Sequence, residues 1–512
     1  MERPMTVSAP ALERQRPKAL RWKLALAALA SIAPVTGCTS VSQGALPAGA
    51  HRANQGESSR FSVRQLGGKW TLVDPAGRPF YSVGINHVSM DGYADPSGAN
   101  LYKSTVSAKY PTQAAWADVQ RVRFRDWGIN TVAAFSDIEP FLARQVPSTA
   151  FIRTTASNKT DFWDPKWIAD AQHAIREAAA RYRNDPNLVG YFIDNELPWV
   201  LDISAFGAPT ADLFIMSRYL HHREGKVKLL QFLQSRYRNL DELRSDFPAA
   251  RFTGPDWSAL DAATATFGTQ ATARGQDTLD LWAQIMARQY FAVTAPTLRQ
   301  ADSTHLNLGH KFIGGLTPIS VLQIAAPYSD VISVDFYDTR PSRPTPASSA
   351  AGRSHASDFQ TTLRAAIAFE KNVPTRDMLA EWHRLTGKPI LIAEFGYRAM
   401  DSGLPNTAPP GVVTLKTQAE RADALTNYAN CALNAPYIIG IHWFELFDEP
   451  AAGRFDGENT NWGIVSGADV PYTPVTTALA AVGRRAGMRT QPNFRPAKCS
   501  PVGVQDVNAL RP

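Results

Sequence analysis

The sequence predicts an α/β fold: a closed (β/α)8 barrel of the TIM type, with an N-terminal β-hairpin and a helical insertion after strand four. Three observations carry that expectation. Apolar runs alternate with amphipathic helical patterns over roughly 400 residues, the arrangement of a parallel sheet covered by helices. Two of the runs end in carboxylates: Leu188–Ile193 leads into Asp194-Asn195-Glu196, and Pro389–Ala393 leads into Glu394-Phe395-Gly396. Glu196 and Glu394 lie 198 positions apart, more than the roughly 90 that three barrel units need. The surplus falls in Leu201–Ala292, a helical segment bearing Trp257 and Trp282, which reads as the insertion.

The elements follow in order. Residues 1–38 read as an export signal: a basic stretch ending in Arg21 and Lys23, then Leu24–Pro34, apolar but too short to span a bilayer. Val35-Thr36-Gly37-Cys38 resembles a bacterial lipoprotein cleavage box, so Cys38 is the expected lipidation site, the alternative being plain secretory cleavage nearby. Residues 39–60, rich in Ser, Ala, Gly, Gln and Pro, read as a flexible tether. Phe61–Phe80 alternates polar and apolar around Asp74-Pro75-Ala76-Gly77, a hairpin expected to cap the bottom of the barrel. The barrel strands are expected at Tyr81–Asn86, Ile129–Phe135, Phe151-Ile152, Leu188–Ile193, Leu306–Phe312, Val331–Tyr337, Pro389–Glu394 and Ile438–Phe444. Helical patterns occupy Gln113–Trp127, Pro165–Tyr182, Asp358–Lys371, Thr375–Thr386 and Thr417–Asn434, and Asn184-Asp185-Pro186 stops the second of these. The barrel as a whole is expected to span 61–490, with a C-terminal tail over 491–512.

Composition is that of an ordinary globular protein, 44% apolar and 19% charged. Of the net charge of +7, five charges lie in residues 1–60, so the folded part carries no excess that would suit nucleic acid or a membrane surface. With Cys38 assigned to a lipid, Cys431 and Cys499 either pair, as an exported protein permits, or Cys431 is a buried free thiol within its helix. No metal or cofactor is expected. His221-His222 is not a zinc motif, and no phosphate loop or nucleophile elbow is present.

A buried strand that delivers a carboxylate at its C-terminal end is the layout of a barrel active site. Two such glutamates suit glycoside hydrolysis, which needs one acid to protonate the leaving oxygen and one carboxylate across the anomeric carbon. Asn195 is placed to hydrogen-bond a sugar hydroxyl at the reacting ring. The loop Phe444–Gly463 gathers Glu445, Asp448, Glu449, Arg454, Asp456, Glu458, Asn459 and Trp462, either a sugar-binding rim or a solvated surface loop. Trp163 and Trp199 are candidate stacking platforms or core residues, and Asn86 and His87 are candidate sugar ligands or structural groups.

The stretches GYFIDNELPW, FLQSRYRNLDELRSDF, HLNLGHKF, SVDFYD and PILIAEFGYRA, and the long C-terminal stretch from Thr417 to Tyr472, carry a resemblance. The chain resembles the large clan of retaining glycosidases with acid and nucleophile on barrel strands four and seven. More narrowly, it resembles the β-agarases of glycoside hydrolase family fifty. That resemblance implies Glu196 as acid/base, Glu394 as nucleophile, Tyr337 as hydrogen-bond partner of the nucleophile and Trp443 as a platform under the sugar; it also favours Glu458 and Asn459 as rim ligands. Two positions depart from the family pattern. His310-Lys311 stands where an arginine usually precedes the phenylalanine, and Asp335 stands where asparagine is commoner; both are expected to shape the sugar-binding rim. The substrate so implied is a β-linked galactan-type oligosaccharide or polysaccharide. The alternatives are a β-galactosidase or β-mannanase of the same clan, and a sugar-binding lipoprotein without turnover.

Overall fold

The computed structural model describes residues 59–155, 160–201, 212–337, 378–409 and 412–500. The export signal with Cys38, nearly all of the tether, the helix expected at Asp358–Lys371 and the end of the tail lie outside them. A small antiparallel sheet comes first: β1 (Ser62–Leu66), β2 (Lys69–Val73) and β3 (Pro79–Phe80). Its first turn is Gly67-Gly68, both with positive φ (56° and 76°), the two-residue geometry that matches strand twist. The expected turn at Asp74–Gly77 is the second one, closed by the Asp74 carboxylate accepting from the backbone N–H groups of Ala76 and Arg78 at 2.9 Å each.

Eight parallel strands then close into a barrel, in the expected chain order: β4 (Ser82–Ile85), β5 (Thr131–Val132), β6 (Ser148–Ile152), β7 (Leu188–Asn195), β8 (Leu306–Ile313), β9 (Ile332–Asp335), β10 (Ile390–Phe395) and β13 (Ile438–Trp443). Between the last two lies a two-residue pair, β11 (Arg398–Ala399) with β12 (Thr414–Leu415). Every residue of β7 except Asn195 is buried. Such a strand faces the barrel interior on one side and the helix layer on the other, which is why it reads as an unbroken apolar run. Gly190 is needed there: a Cβ would lie 2.3 Å from the carbonyl oxygen of Leu306 on the neighbouring strand.

The helix Pro165–Tyr182 fits its expected bounds, with Asp164 capping the Lys166 N–H and Pro165 at the first position. Trp167, Ala171, Ile175 and Ala179 recur every four residues and form its buried stripe. After β7 come short helices at Ile215–Tyr219, Glu224–Arg236 and Leu240–Asp246. The long helix Ala273–Ala301 then packs against both Pro165–Tyr182 and Ile319–Ala325, as a member of the outer ring. None of the described helices is long and apolar enough to cross a membrane.

The barrel interior is filled by Val189, Phe192, Leu308, Val331, Leu391, Ala393 and Ile439, and Phe61 and Leu72 of the N-terminal sheet join the same cluster. The Trp70 N–H donates to Pro436 O at 2.7 Å, just ahead of β13. The sheet therefore stoppers the N-terminal end of the barrel, as expected. At the other edge of the sequence, Cys431 of the helix Gln418–Asn434 is joined to Cys499 by a disulfide, which decides that question for pairing.

Candidate active site

At the C-terminal end of β7 the backbone leaves the strand through two non-glycine residues in the left-handed region, Asp194 (φ 57°) and Glu196 (φ 49°). A bend of that kind persists only where its surroundings fix it. The buried Asp194 carboxylate accepts from the N–H of Thr154 (2.7 Å) and Thr155 (3.0 Å), from both threonine hydroxyls, and from the Tyr290 hydroxyl (3.0 Å). His310 clamps the other side: its Nδ1 donates to Ile193 O and its Nε2 accepts from the Leu197 N–H, each at 3.2 Å. Only the neutral ring can donate at one nitrogen and accept at the other, and burial holds the His310 pKa down at about 3. The Glu196 N–H completes the cradle by donating to Lys311 O at 2.9 Å.

Glu394, near the end of β10, is 5% exposed. Its Oε2 accepts from the Tyr337 hydroxyl at 2.8 Å, and its Oε1 pairs with the Lys311 ammonium. Lys311 comes from β8 and is fully buried. Its Nζ also reaches Asn195 Oδ1 at 2.7 Å and Asp335 Oδ1 at 3.4 Å, and lies 4.4 Å from the centre of the Phe135 ring. One carboxylate oxygen each of Glu196, Asp335 and Glu394 lie within 4.8 Å of one another. That spacing would suit a cation, and an ammonium supplied by the protein already pairs with two of the three.

The electrostatics separate the two glutamates' surroundings. Burial first, and then the neighbouring Glu394 charge, push the Glu196 pKa up to about 8, with Lys311 opposing. Glu196 as a residue is half-buried, with protein packed around its carboxyl. Burial and the Glu394 charge also raise Asp335 well above the carboxylate range. Burial raises Tyr337 too, so its hydroxyl stays a donor to Glu394. Lys311 stays charged: its burial disfavours the ammonium, but Asp335 and Glu394 outweigh that.

The structure gathers Glu196, Glu394, Asn195 and Tyr337 around one point and gives several other expected ligands different work. Trp443 is fully buried; its indole N–H donates to Trp462 O at 2.9 Å and the Arg421 guanidinium covers its ring at 5.2 Å, so it is no sugar platform. Trp199 is buried among Phe162, Tyr290 and Phe291. Trp163 stacks on Trp282. Asn86 is fully buried and donates to Ala393 O (3.0 Å) and Trp443 O (3.3 Å), tying the ends of β10 and β13 together. His310, expected at the rim, is the internal clamp already described. Asn459 fastens a neighbouring loop, its Oδ1 accepting from the N–H groups of Thr407 and Ala408. Glu458 pairs with Arg454 at 2.9 Å, and its charge contributes to raising Glu196. His87 stays in the wall of the site, stacked on Phe135 at 4.7 Å and bonded through Nδ1 to the Tyr93 hydroxyl.

A second set of carboxylates lies beyond β13. Arg454, itself buried, meets Glu449 at 3.2 Å, Asp456 at 2.9 Å and Glu458. The Tyr93 hydroxyl donates to Glu445 Oε2 at 2.6 Å, and burial pushes the Glu445 pKa up to about 8. Tyr93 went unnoticed in the sequence, as did the part played by Lys311. The sequence marked Lys311 and Asp335 as departures from the family pattern and expected both at the sugar-binding rim, whereas both are buried beneath it.

No family model matches the chain. By sequence it is similar to β-agarase B of Vibrio sp. (strain JT0107), 24% identical over 504 residues that cover 82% of this chain and 47% of that protein. β-Agarase A of the same strain is 25% identical over 482 residues, covering 81% of this chain and 44% of the relative. The chain thus spans a little under half the length of both. Among solved structures, one described as an exo-β-agarase matches with a TM-score of 0.62 at 20% identity, over 85% of this chain and 66% of that one. Another, described as PfGH50B, matches with a TM-score of 0.62 at 22% identity, over 85% and 67%. The structural likeness is one of fold. With the two sequence relatives, it bears out the resemblance to β-agarases that the motifs carry.

Proposed function

We propose that this chain is a retaining glycoside hydrolase acting on β-linked galactan-type saccharides, agarose and agaro-oligosaccharides first among them. In this reading Glu394 is the nucleophile and Glu196 the acid/base. The spacing of the carboxylates is the observation that carries it. Retaining enzymes hold the two groups about 5–5.5 Å apart, whereas inverting enzymes leave about 6.5–9.5 Å for a water. An oxygen of Glu196 and one of Glu394 lie within 4.8 Å of each other, which leaves little room for a water between the two carboxyls and so supports direct attack by Glu394.

The chemistry follows from the charges. Glu394 attacks the anomeric carbon while protonated Glu196 gives its proton to the departing oxygen, leaving a glycosyl ester on Glu394. Forming the ester removes the negative charge that helps to raise Glu196. Glu196 then ionises more readily, which suits it to take a proton from the incoming water in the second step. The Tyr337 hydroxyl, bonded to Oε2, orients Glu394 for attack through Oε1 or Oε2. The substrate class rests on the two β-agarase relatives, and export with a lipid on Cys38 rests on the N-terminal pattern.

The test is proton NMR of the first product released from agaro-oligosaccharides, together with Glu394→Gln. Retention of the β-anomer, and loss of reducing-sugar release with oligosaccharide binding preserved, support the reading. An α-anomer released first would show inversion, and binding without hydrolysis of any β-galactan, β-galactoside or β-mannan would make the chain a sugar-binding protein. Incorporation of radiolabelled palmitate, lost on Cys38→Ala, tests the anchor.

A further inference from the structure

We propose that Lys311 and Asp335 form a positioning pair: Asp335 braces the buried Lys311 ammonium, and Lys311 holds Glu394 and Asn195 in the attitudes that displacement requires. The inference rests on the functional reading above and adds two residues to it, both at positions where the chain departs from the family pattern it resembles.

The geometry is a match of donors to acceptors. An ammonium has three N–H groups and no acceptor. Around Lys311 Nζ stand three oxygens on three different strands: Asn195 Oδ1 from β7, Asp335 Oδ1 from β9 and Glu394 Oε1 from β10. Lys311 itself comes from β8, so one side chain ties four successive strands together at the mouth. The Phe135 ring covers another side of the ammonium. Two of its N–H groups bond Asn195 and Glu394, the ion pair with Asp335 takes another side, and the side chain is fully buried, which makes Lys311 a positioning residue and not a catalytic one. An arginine, with its flat fork, would meet two coplanar acceptors well and the third poorly.

Asp335 is fully enclosed, and among the described residues neither of its oxygens has a hydrogen-bond partner; its contact with Lys311 is a 3.4 Å ion pair. A carboxyl kept in such a place serves the cation beside it. When Glu394 becomes an ester its charge is gone, and with it one of the causes that hold Asp335 protonated; Asp335 then ionises more readily and accompanies a lysine that would otherwise be a lone buried charge. The ionisable groups that bear on this cluster are Glu196, Glu394, Asp335 and Tyr337 at the mouth, Arg454 and Glu458 from the loop after β13, and His87, His310 and His442, which burial and the Lys311 charge hold toward the neutral form. Of the cations that hold Glu196 down, Lys311 acts most strongly, ahead of Arg454, so its removal sends Glu196 upward.

The experiment compares the full chain with Lys311→Met and Lys311→Gln, the second retaining polar contacts should the first not fold. The expected result is a fall in kcat of at least ~100-fold with KM within about threefold, since the ammonium makes no contact with substrate. The alkaline limb of the kcat/KM profile should move to higher pH, and methylammonium should partly restore kcat to Lys311→Ala. A limb that stays in place in a folded variant, or a loss confined to KM, overturns the proposal. If the unaltered chain hydrolyses no saccharide, the functional reading is what has failed. The pair is then decided by carbon-13 NMR of the Glu196 carboxyl: a midpoint raised by Lys311→Gln upholds it, and an unmoved midpoint refutes it.

Discussion

Replacing Glu394 by glutamine should lower the pKa of Glu196, by an amount that can be worked from the distance between them. The relevant oxygens lie within 4.8 Å of each other. Two unit charges at that separation repel by about 3.5 kcal/mol at an effective dielectric of about 20 and by about 0.9 kcal/mol in bulk water. Those limits correspond to shifts of about 2.5 and about 0.6 pH units. Glu196 is a half-buried residue, so part of the repulsion is screened, and a fall of about 1–2 units is expected. The midpoint would then drop from about 8 to between about 6 and 7, burial keeping it above that of a free glutamate. Carbon-13 labelling of glutamate carboxyls reads the titration directly, and Glu196→Gln assigns the resonance. The reasoning is refuted if the midpoint in Glu394→Gln equals that of the unaltered chain, or rises.

Three further outcomes follow. The Glu196 carboxyl is raised in the folded chain, so it favours folding fully only below its unfolded pKa, and that contribution is lost as pH rises through about 8. Glu196→Gln should therefore raise Tm more at pH 9 than at pH 5; an equal gain at both, seen by calorimetry, would contradict this. His310→Ala removes the clamp on Ile193 O and the Leu197 N–H and opens a cavity beside Trp199 and Tyr290, which should cost about 2–4 kcal/mol in denaturant unfolding. Because the ring is neutral throughout, its effect on rate should be the same from pH 5 to 8. Cys431→Ser opens a link spanning a sequence separation of 68, which should lower stability by at most about 4 kcal/mol while leaving kcat within about twofold.

Strands such as β7, β10 and β13 were legible because each is buried on both faces and therefore written as an apolar run, whereas β6 opens on Ser148-Thr149 and was marked in the sequence only by Phe151-Ile152. The pair Glu196 and Glu394 was legible because carboxylates at the ends of such runs have few structural reasons to be there. What failed was the direction of side chains just beyond the strands. Trp443, Asn86 and His310 all lie at or near strand ends, yet each points into the protein and serves the backbone. Their partners are backbone groups of other strands and of the loop after β13, which only the closed barrel brings beside them, and hydrophobic periodicity does not encode that. Lys311 shows the same limit from the other side. Its charge within an apolar run was visible, but its three partners come from strands that only the closed barrel brings beside it.

The stopper formed by Phe61 and Leu72 also fixes the polarity of presentation. The described chain enters at Ser59, close to the closed floor, where an Arg60 guanidinium nitrogen reaches Arg183 O just ahead of β7. Glu196 and Glu394 lie at the opposite end of the barrel, at the C-terminal ends of β7 and β10. The chain thus enters the barrel at the end remote from the two glutamates, so changes to the entering segment leave the carboxylate cluster untouched.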